Sequence, residues 1–294
     1  MESFEEICLK KNTILDDTYK ITKVISISEI SIIYLAINIY TEKVIAIKEF
    51  YPKNLALRDI DNLTVVNRLP STKKKYEDLK KDFHNEILIL QQIYHEKIVK
   101  YLSHFEENET IYIVMEYYEG ITLNEYLKNT PLKDRKNINE ILFIPLIDAL
   151  QYIHKMGIIH RDIKPSNIII DSNNNVHLLD FGAAVFYKNQ KEFKIYTTSG
   201  YSPLEQYSKQ SIQGVHTDLY SYAATLYYSL TGVLVEDISK RLINEKIKNV
   251  RYYNKEVSFL LSFIINWGLA VNFKKRCFSF TVIKITLFID KWIK

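Results

Sequence analysis

The hydrophobic period of this chain changes once, and that change limits the fold more than any other feature. Over residues 19–50 the apolar positions alternate or fall in β-branched blocks: Tyr19-Lys20-Ile21-Thr22, Ile32-Ile33-Tyr34-Leu35-Ala36 and Val44-Ile45-Ala46-Ile47, with Thr41-Glu42-Lys43 as a polar turn. Such segments pack as strands, because successive side chains point to opposite faces. Residues 54–75 are polar and irregular and read as a solvated loop. From about Tyr76 the step lengthens, and Phe83, Glu86, Ile87, Leu90 and Ile93 share one helical face. Strand-like runs follow at 98–105 and 111–116. After Gly120 helical patterns dominate, at 122–128, 138–156, 217–231 and 256–270, interrupted by strand-like pieces at 168–170 and 176–179. A strand-rich first third ahead of a helix-rich remainder predicts an α+β protein in two lobes, divided near 116–120.

Composition removes several classes of function. With 47% hydrophobic and 25% charged residues over 294 positions, wholesale disorder is excluded. A net charge of +4 is too weak to argue for a nucleic-acid footprint. Two cysteines, Cys8 and Cys277, make neither a disulfide framework nor a four-ligand zinc site, which points to a reducing, cytoplasmic setting. The first six residues are acidic and lack the apolar core of a signal peptide. The apolar runs at 257–271 and 278–293 fall short of the roughly 20 residues a membrane span needs, so amphipathic or buried helices are expected there. Glycine is scarce, seven in all, and the first is Gly120. A glycine-rich phosphate loop in the first 119 residues is therefore excluded.

Four pieces carry the chemistry. His160-Arg161-Asp162-Ile163-Lys164-Pro165-Ser166-Asn167 lies between the apolar anchors Ile158-Ile159 and Ile168-Ile169-Ile170, which suits a base and a metal ligand on one rigid loop. Asp180-Phe181-Gly182 follows Leu178-Leu179, an acid at a strand end. Lys48 closes the buried run Ile45-Ala46-Ile47. Glu86 is a carboxylate inside an apolar helical stripe.

In this order these pieces resemble the protein-kinase signature set: a strand lysine, a helix glutamate, the loop H-R-D-x-x-x-x-N and D-F-G. The resemblance runs from about Tyr19 to Arg276. The stretches Ile47-Lys48-Glu49-Phe50-Tyr51-Pro52 and Gly200-Tyr201-Ser202-Pro203-Leu204-Glu205-Gln206-Tyr207 are similar to a prokaryotic branch, the bacterial eukaryotic-like serine/threonine protein kinases. The family implies a bilobal α+β protein-kinase fold, with a small antiparallel sheet and one key helix over 19–115, a hinge at 116–120 and a mainly helical lobe over 121–294. Residues 1–18 are then an N-terminal extension. It also implies ATP and Mg²⁺ as cofactors and a protein substrate with a serine or threonine acceptor.

Carried over position by position, Asp162 is the base for the acceptor hydroxyl and Lys164 neutralises the transferring phosphoryl group. Lys48, paired with Glu86, contacts the α- and β-phosphates, and Asn167 and Asp180 hold the metal. Met115 backs the adenine pocket, the backbone of Glu116 and Tyr118 meets the adenine edge, and Ile25, Ile33, Ala46 and Ile169 wall it. Asp218 ties the catalytic loop to a central helix, and Glu205 pairs with Arg276. Arg161 implies an activation segment ordered by a phosphate. Thr197 is the expected phosphosite, with Thr198 left to bridge Asp162 and Lys164.

One departure stands out. The family's G-x-G-x-x-G falls on Ser26-Ile27-Ser28-Glu29-Ile30-Ser31, with serine at each glycine position. Either the loop has drifted under relaxed constraint, or the hydroxyls partly replace the glycine contacts to phosphate. If missing glycine limits phosphate approach, restoring it at Ser26, Ser28 and Ser31 tightens ATP binding. Two classes of function follow: an active kinase, or a pseudokinase that keeps the fold as a binding and scaffolding module.

Overall fold

The alternation over 19–50 folds as three long antiparallel strands, the centre of a six-stranded sheet. The computed structural model describes residues 7–135, 137–277 and 279–293. Its chain forms two compact units, one running to Tyr94 and including Val99–Tyr118, the other comprising His95–Ile98 and the chain from Glu119 onward.

In the first unit the strands are β1 (Ile14–Leu15), β2 (Tyr19–Ile27), β3 (Ser31–Asn38), β4 (Val44–Phe50), β5 (Ala56–Arg58), β6 (Val65–Asn67), β7 (Tyr101–Glu107) and β8 (Thr110–Glu116), with one long helix, α1 (Lys73–Leu90). The main sheet runs β1-β2-β3-β4-β8-β7, every neighbour antiparallel. The period of two separates its faces. Ile32, Tyr34, Ala36 and Ile47 are fully buried on one of them. On the other, α1 lays Tyr76 and Phe83 against Phe50, with ring centroids 5.3 and 5.5 Å apart.

The expectation of a loop over 54–75 is corrected here. β5 and β6 pair as a hairpin, and the helix already begins at Lys73. Three-residue strands are too short to show a period, yet Leu55, Ala56 and Val65 are buried. The turn between them closes on Asp61, whose carboxylate accepts from the Leu63 and Thr64 N–H groups and the Thr64 hydroxyl. Nor do residues 14–15 lie apart as an extension: β1 pairs with β2 and continues the sheet.

The second unit holds β9 (Gly120–Thr122), α2 (Leu123–Asn129), α3 (Ile144–Lys155), β10 (Ile158–Ile159), β11 (Ile168–Asp171), β12 (Val176–Leu178), β13 (Val185–Phe186), α4 (Val215–Thr231), α5 (Ile238–Ile243), α6 (Val250–Tyr253), α7 (Phe259–Gly268) and α8 (Phe280–Ile293). A reciprocal capping box between Thr122 and Glu125 starts α2. Gly120 is required by close approach, since a Cβ there would stand 2.1 Å from the Ile170 carbonyl oxygen. Helix α4 is buried almost throughout and forms the unit's axis. Gly268 lets α7 press against it, for an added Cβ would meet that of Ala223 at 2.8 Å. Among the described residues no helix is long and apolar enough to cross a membrane. The two apolar runs near the C-terminus are the packed helices α7 and α8.

Candidate active site

In the first unit, β4 places Lys48 between Ile33 of β3 and Ile113 of β8. Its Nζ donates to both carboxylate oxygens of Glu86, at 2.7 and 2.8 Å, and lies 5.8 Å from the centre of the Phe83 ring. Both partners are buried, at 3% and 2% exposure, so this is an interior ion pair and not a surface one. Ala46 and Met115 face each other across the β4–β8 register and are buried. Ile33 is half-buried, while Ile25 sits at a bulge in β2 and is exposed. Glu116 ends β8, and the half-buried Tyr118 donates its hydroxyl to the Glu116 carboxylate at 3.3 Å.

The three serines occupy a closed β-hairpin. Ser26 pairs with Ile33 and Ile27 with Ile32, and the Ser28 N–H donates to the Ser31 carbonyl at 2.8 Å. The Ser28 Oγ accepts from the Ser31 N–H at 3.0 Å and the Ile30 N–H at 3.3 Å, and it meets the Ser31 hydroxyl at 3.0 Å. No residue from 26 to 31 has positive φ, so the backbone asks for no glycine. The tip is pinned outside the sheet: Glu29 pairs with Lys53 at 2.6 Å and accepts from Asn54 at 2.9 Å. The Tyr51 N–H donates to the Ile30 carbonyl at 2.9 Å. The hairpin thus holds no backbone strain for glycine to relieve, and Ser28 closes the turn.

In the second unit, the loop after β10 gathers Asp162, Lys164, Asn167 and Thr198. The Thr198 hydroxyl donates to Asp162 Oδ1 at 2.9 Å and receives the Lys164 Nζ at 3.2 Å. Lys164 also pairs with Asp162 Oδ2 at 2.7 Å. Asn167 Nδ2 donates to the Asp162 carbonyl at 2.9 Å and to its Oδ2 at 2.8 Å. This leaves the hard Asn167 Oδ1 turned away from Asp162. Asp180, exposed and at φ +53°, follows β12 and adds a carboxylate that accepts from the Gly182 N–H at 3.3 Å. Among the described residues no three His, Cys, Asp or Glu side chains cluster as a metal cage. An amide oxygen and a carboxylate instead suit a magnesium-like cation that keeps water and phosphate oxygens. Ile169 is half-buried on β11.

The loop's backbone is held from below. Asp218 of α4 is fully buried and accepts from the N–H groups of His160 and Arg161, both at 2.8 Å, and from His154 Nε2 at 2.7 Å. Burial pushes its carboxyl up, and the hydrogen bond and charge of His154, with those of His160, outweigh that and leave it below the usual carboxylate range. Arg161 is held at φ +68°, a region non-glycine residues seldom occupy. His160 donates from Nε2 to the Leu179 carbonyl at 3.0 Å and stacks edge-on to Phe181, 4.8 Å away. Glu205 and Arg276 form a buried bidentate pair at 2.7 and 3.2 Å.

The Arg161 side chain is buried and donates to the carbonyls of Ala183 and Lys194, and Thr197, the expected phosphosite, is exposed. Two further participants escaped the sequence reading. His154 gives no motif, and its spacing from Asp218 is meaningful only after folding. Gln206 stands in a stretch noted for resemblance alone.

Residues 19–284 match the protein kinase domain family, and the chain belongs to it. Serine/threonine-protein kinase D of Synechocystis sp. is 32% identical over 236 residues, 76% of this chain and 42% of that protein. Sperm motility kinase Z of Mus musculus is 27% identical over 199 residues, 65% of this chain and 39% of that protein. The chain thus spans less than half the length of either relative. A solved structure, the PpkA-294 apo form, superposes with a TM-score of 0.84 at 27% identity, covering 95% of this chain and 99% of its own. The likeness to the eukaryotic-like serine/threonine kinases, first drawn from motifs, extends to the whole bilobal fold.

Proposed function

We propose that the chain is a serine/threonine protein kinase that transfers the γ-phosphoryl group of Mg-ATP to a hydroxyl of a protein substrate. The observation that carries this reading is the caged Asp162, held by Asn167, Lys164 and Thr198 at 2.7–2.9 Å with one face of the cage open to a fifth of its side-chain area. The acceptor oxygen bonds to the γ-phosphorus as the bond to the leaving ADP oxygen breaks, and the acceptor proton passes to Asp162. Lys164 offsets charge on the moving phosphoryl group. Lys48, aimed by Glu86, takes the α- and β-phosphates. Asn167 Oδ1 and Asp180 would hold Mg²⁺, which when bound neutralises phosphate charge. Ile25, Ile33 and Ala46, and separately Ile169, serve as apolar walls for adenine, with the backbone of Glu116 and Tyr118 on its edge. Ser26, Ser28 and Ser31 form the hairpin that covers the phosphates, with the N–H and hydroxyl groups of Ser28 and Ser31 committed within it.

Initial-rate transfer from radiolabelled ATP to dephosphorylated casein tests the reading. Wild-type chain turns over, and Asp162→Asn lowers kcat at least a thousandfold with the fold intact. The serine hairpin favours a second reading, a module that binds nucleotide without transfer. Thermal stabilisation by Mg-ATP with no turnover by wild type selects it.

A further inference from the structure

Gln206 follows the buried Glu205 and has no part in the chemistry above, yet its side chain is entirely buried. Its Nε2 donates to the Arg161 carbonyl at 2.8 Å and to the Tyr196 carbonyl at 3.1 Å. Both neighbours are acceptors, so the amide nitrogen must face them, and an acid in its place would meet two carbonyl dipoles. One of these carbonyls belongs to the residue before Asp162. The other lies two residues before Thr198, which caps Asp162. A single amide thus joins the catalytic loop to the activation segment.

Arg161 reaches the same segment from the other side. Its guanidinium donates to Ala183, next to the D-F-G turn, and to Lys194. The rings of Phe193 and Tyr196 lie 5.5 and 5.9 Å from its centre. These ties are made by backbone carbonyls and aromatic faces.

We propose that Gln206 is a positioning residue that, together with Arg161, clasps the activation segment to the catalytic loop. This rests on the kinase reading above, and the test uses the full chain with casein as acceptor.

Gln206→Glu supplies the positioning readout. Its kcat falls at least tenfold while the KM for ATP stays within twofold, and trypsin cleaves after Lys194 at least five times faster at unchanged Tm. Wild-type kcat and cleavage rate in this variant overturn the clasp. If wild type does not turn over, the kinase reading falls, and the tryptic comparison alone decides whether Gln206 holds the segment.

Discussion

Asp218 is the residue on which the catalytic loop's shape depends most directly. It fixes two consecutive N–H groups, and the second belongs to Arg161 in its left-handed conformation. Such a backbone costs about 1–3 kcal/mol and persists only where its surroundings enforce it. Asp218→Asn leaves one amide oxygen to serve three buried donors and should cost about 3 kcal/mol of stability. Its kcat should fall further than the stability loss alone accounts for, because Asp162 follows the released peptide. The pH sign follows from the depressed carboxyl. Asp218 stabilises the fold above the ordinary aspartate range, and this contribution is lost as pH falls through the lower folded value. Acid titrations of stability should therefore be shallower at low pH in the Asn variant than in wild type. Equal slopes would show that Asp218 does not carry this linkage.

At the scale of elements, two hairpins separate what can be read from sequence and what cannot. The long strands β2, β3 and β4 were legible because each carries an alternating or β-branched apolar run of four or five residues bounded by polar turns. The motif residues were legible because the chemistry fixes their types, and Lys48 with Glu86, or Asp162 with Asn167, meet as the motifs imply. The serine hairpin was not. Its sequence shows three missing glycines, whereas its structure shows a turn that needs none, closed by Ser28. Changing Ser26, Ser28 and Ser31 together to glycine removes hydrogen bonds worth about 0.5–1.5 kcal/mol each and adds backbone freedom. ATP binding should weaken about fivefold by calorimetry, and tighter binding would mean that the side chains obstruct the phosphates.

The β5–β6 hairpin was illegible for a different reason, since its purpose lies in a partner nine residues away. Arg58 grips Glu49 through two nitrogens, at 2.5 and 2.7 Å, and Tyr34 and Tyr112 complete the carboxylate's shell at 2.8 and 3.0 Å. Burial works against the Arg58 charge, and Glu49 reverses that effect and raises its pKa. Burial also pushes both tyrosines up, so they remain neutral donors. Arg58→Met strands Glu49 beside Lys48 on β4 and should destabilise the chain by about 3–5 kcal/mol. Adding Glu49→Met should recover part of that loss in a denaturant titration. No recovery would mean that Arg58 acts through packing alone.

For the whole molecule, the two compact units each close around an ion pair that the other does not share. Arg58–Glu49 joins strand to hairpin in the first. Arg276–Glu205 joins residues 71 apart in the second, and Arg276 also donates to the carbonyls of Ala270 and His216. Both pairs are nearly inaccessible to water, so each loses a buried charge partner on mutation and should cost about 3–5 kcal/mol. Every partner named for Arg58 lies in the first unit and every partner of Arg276 in the second. Substitutions with no shared partners add to within about 0.5 kcal/mol. The double variant Arg58→Met with Arg276→Met should therefore show the sum of the single losses, read from denaturant midpoints with the slope checked for a second transition. A coupling energy above about 1 kcal/mol would place the two ion pairs in one cooperative core, and the division of the chain into two stability units would fail with it.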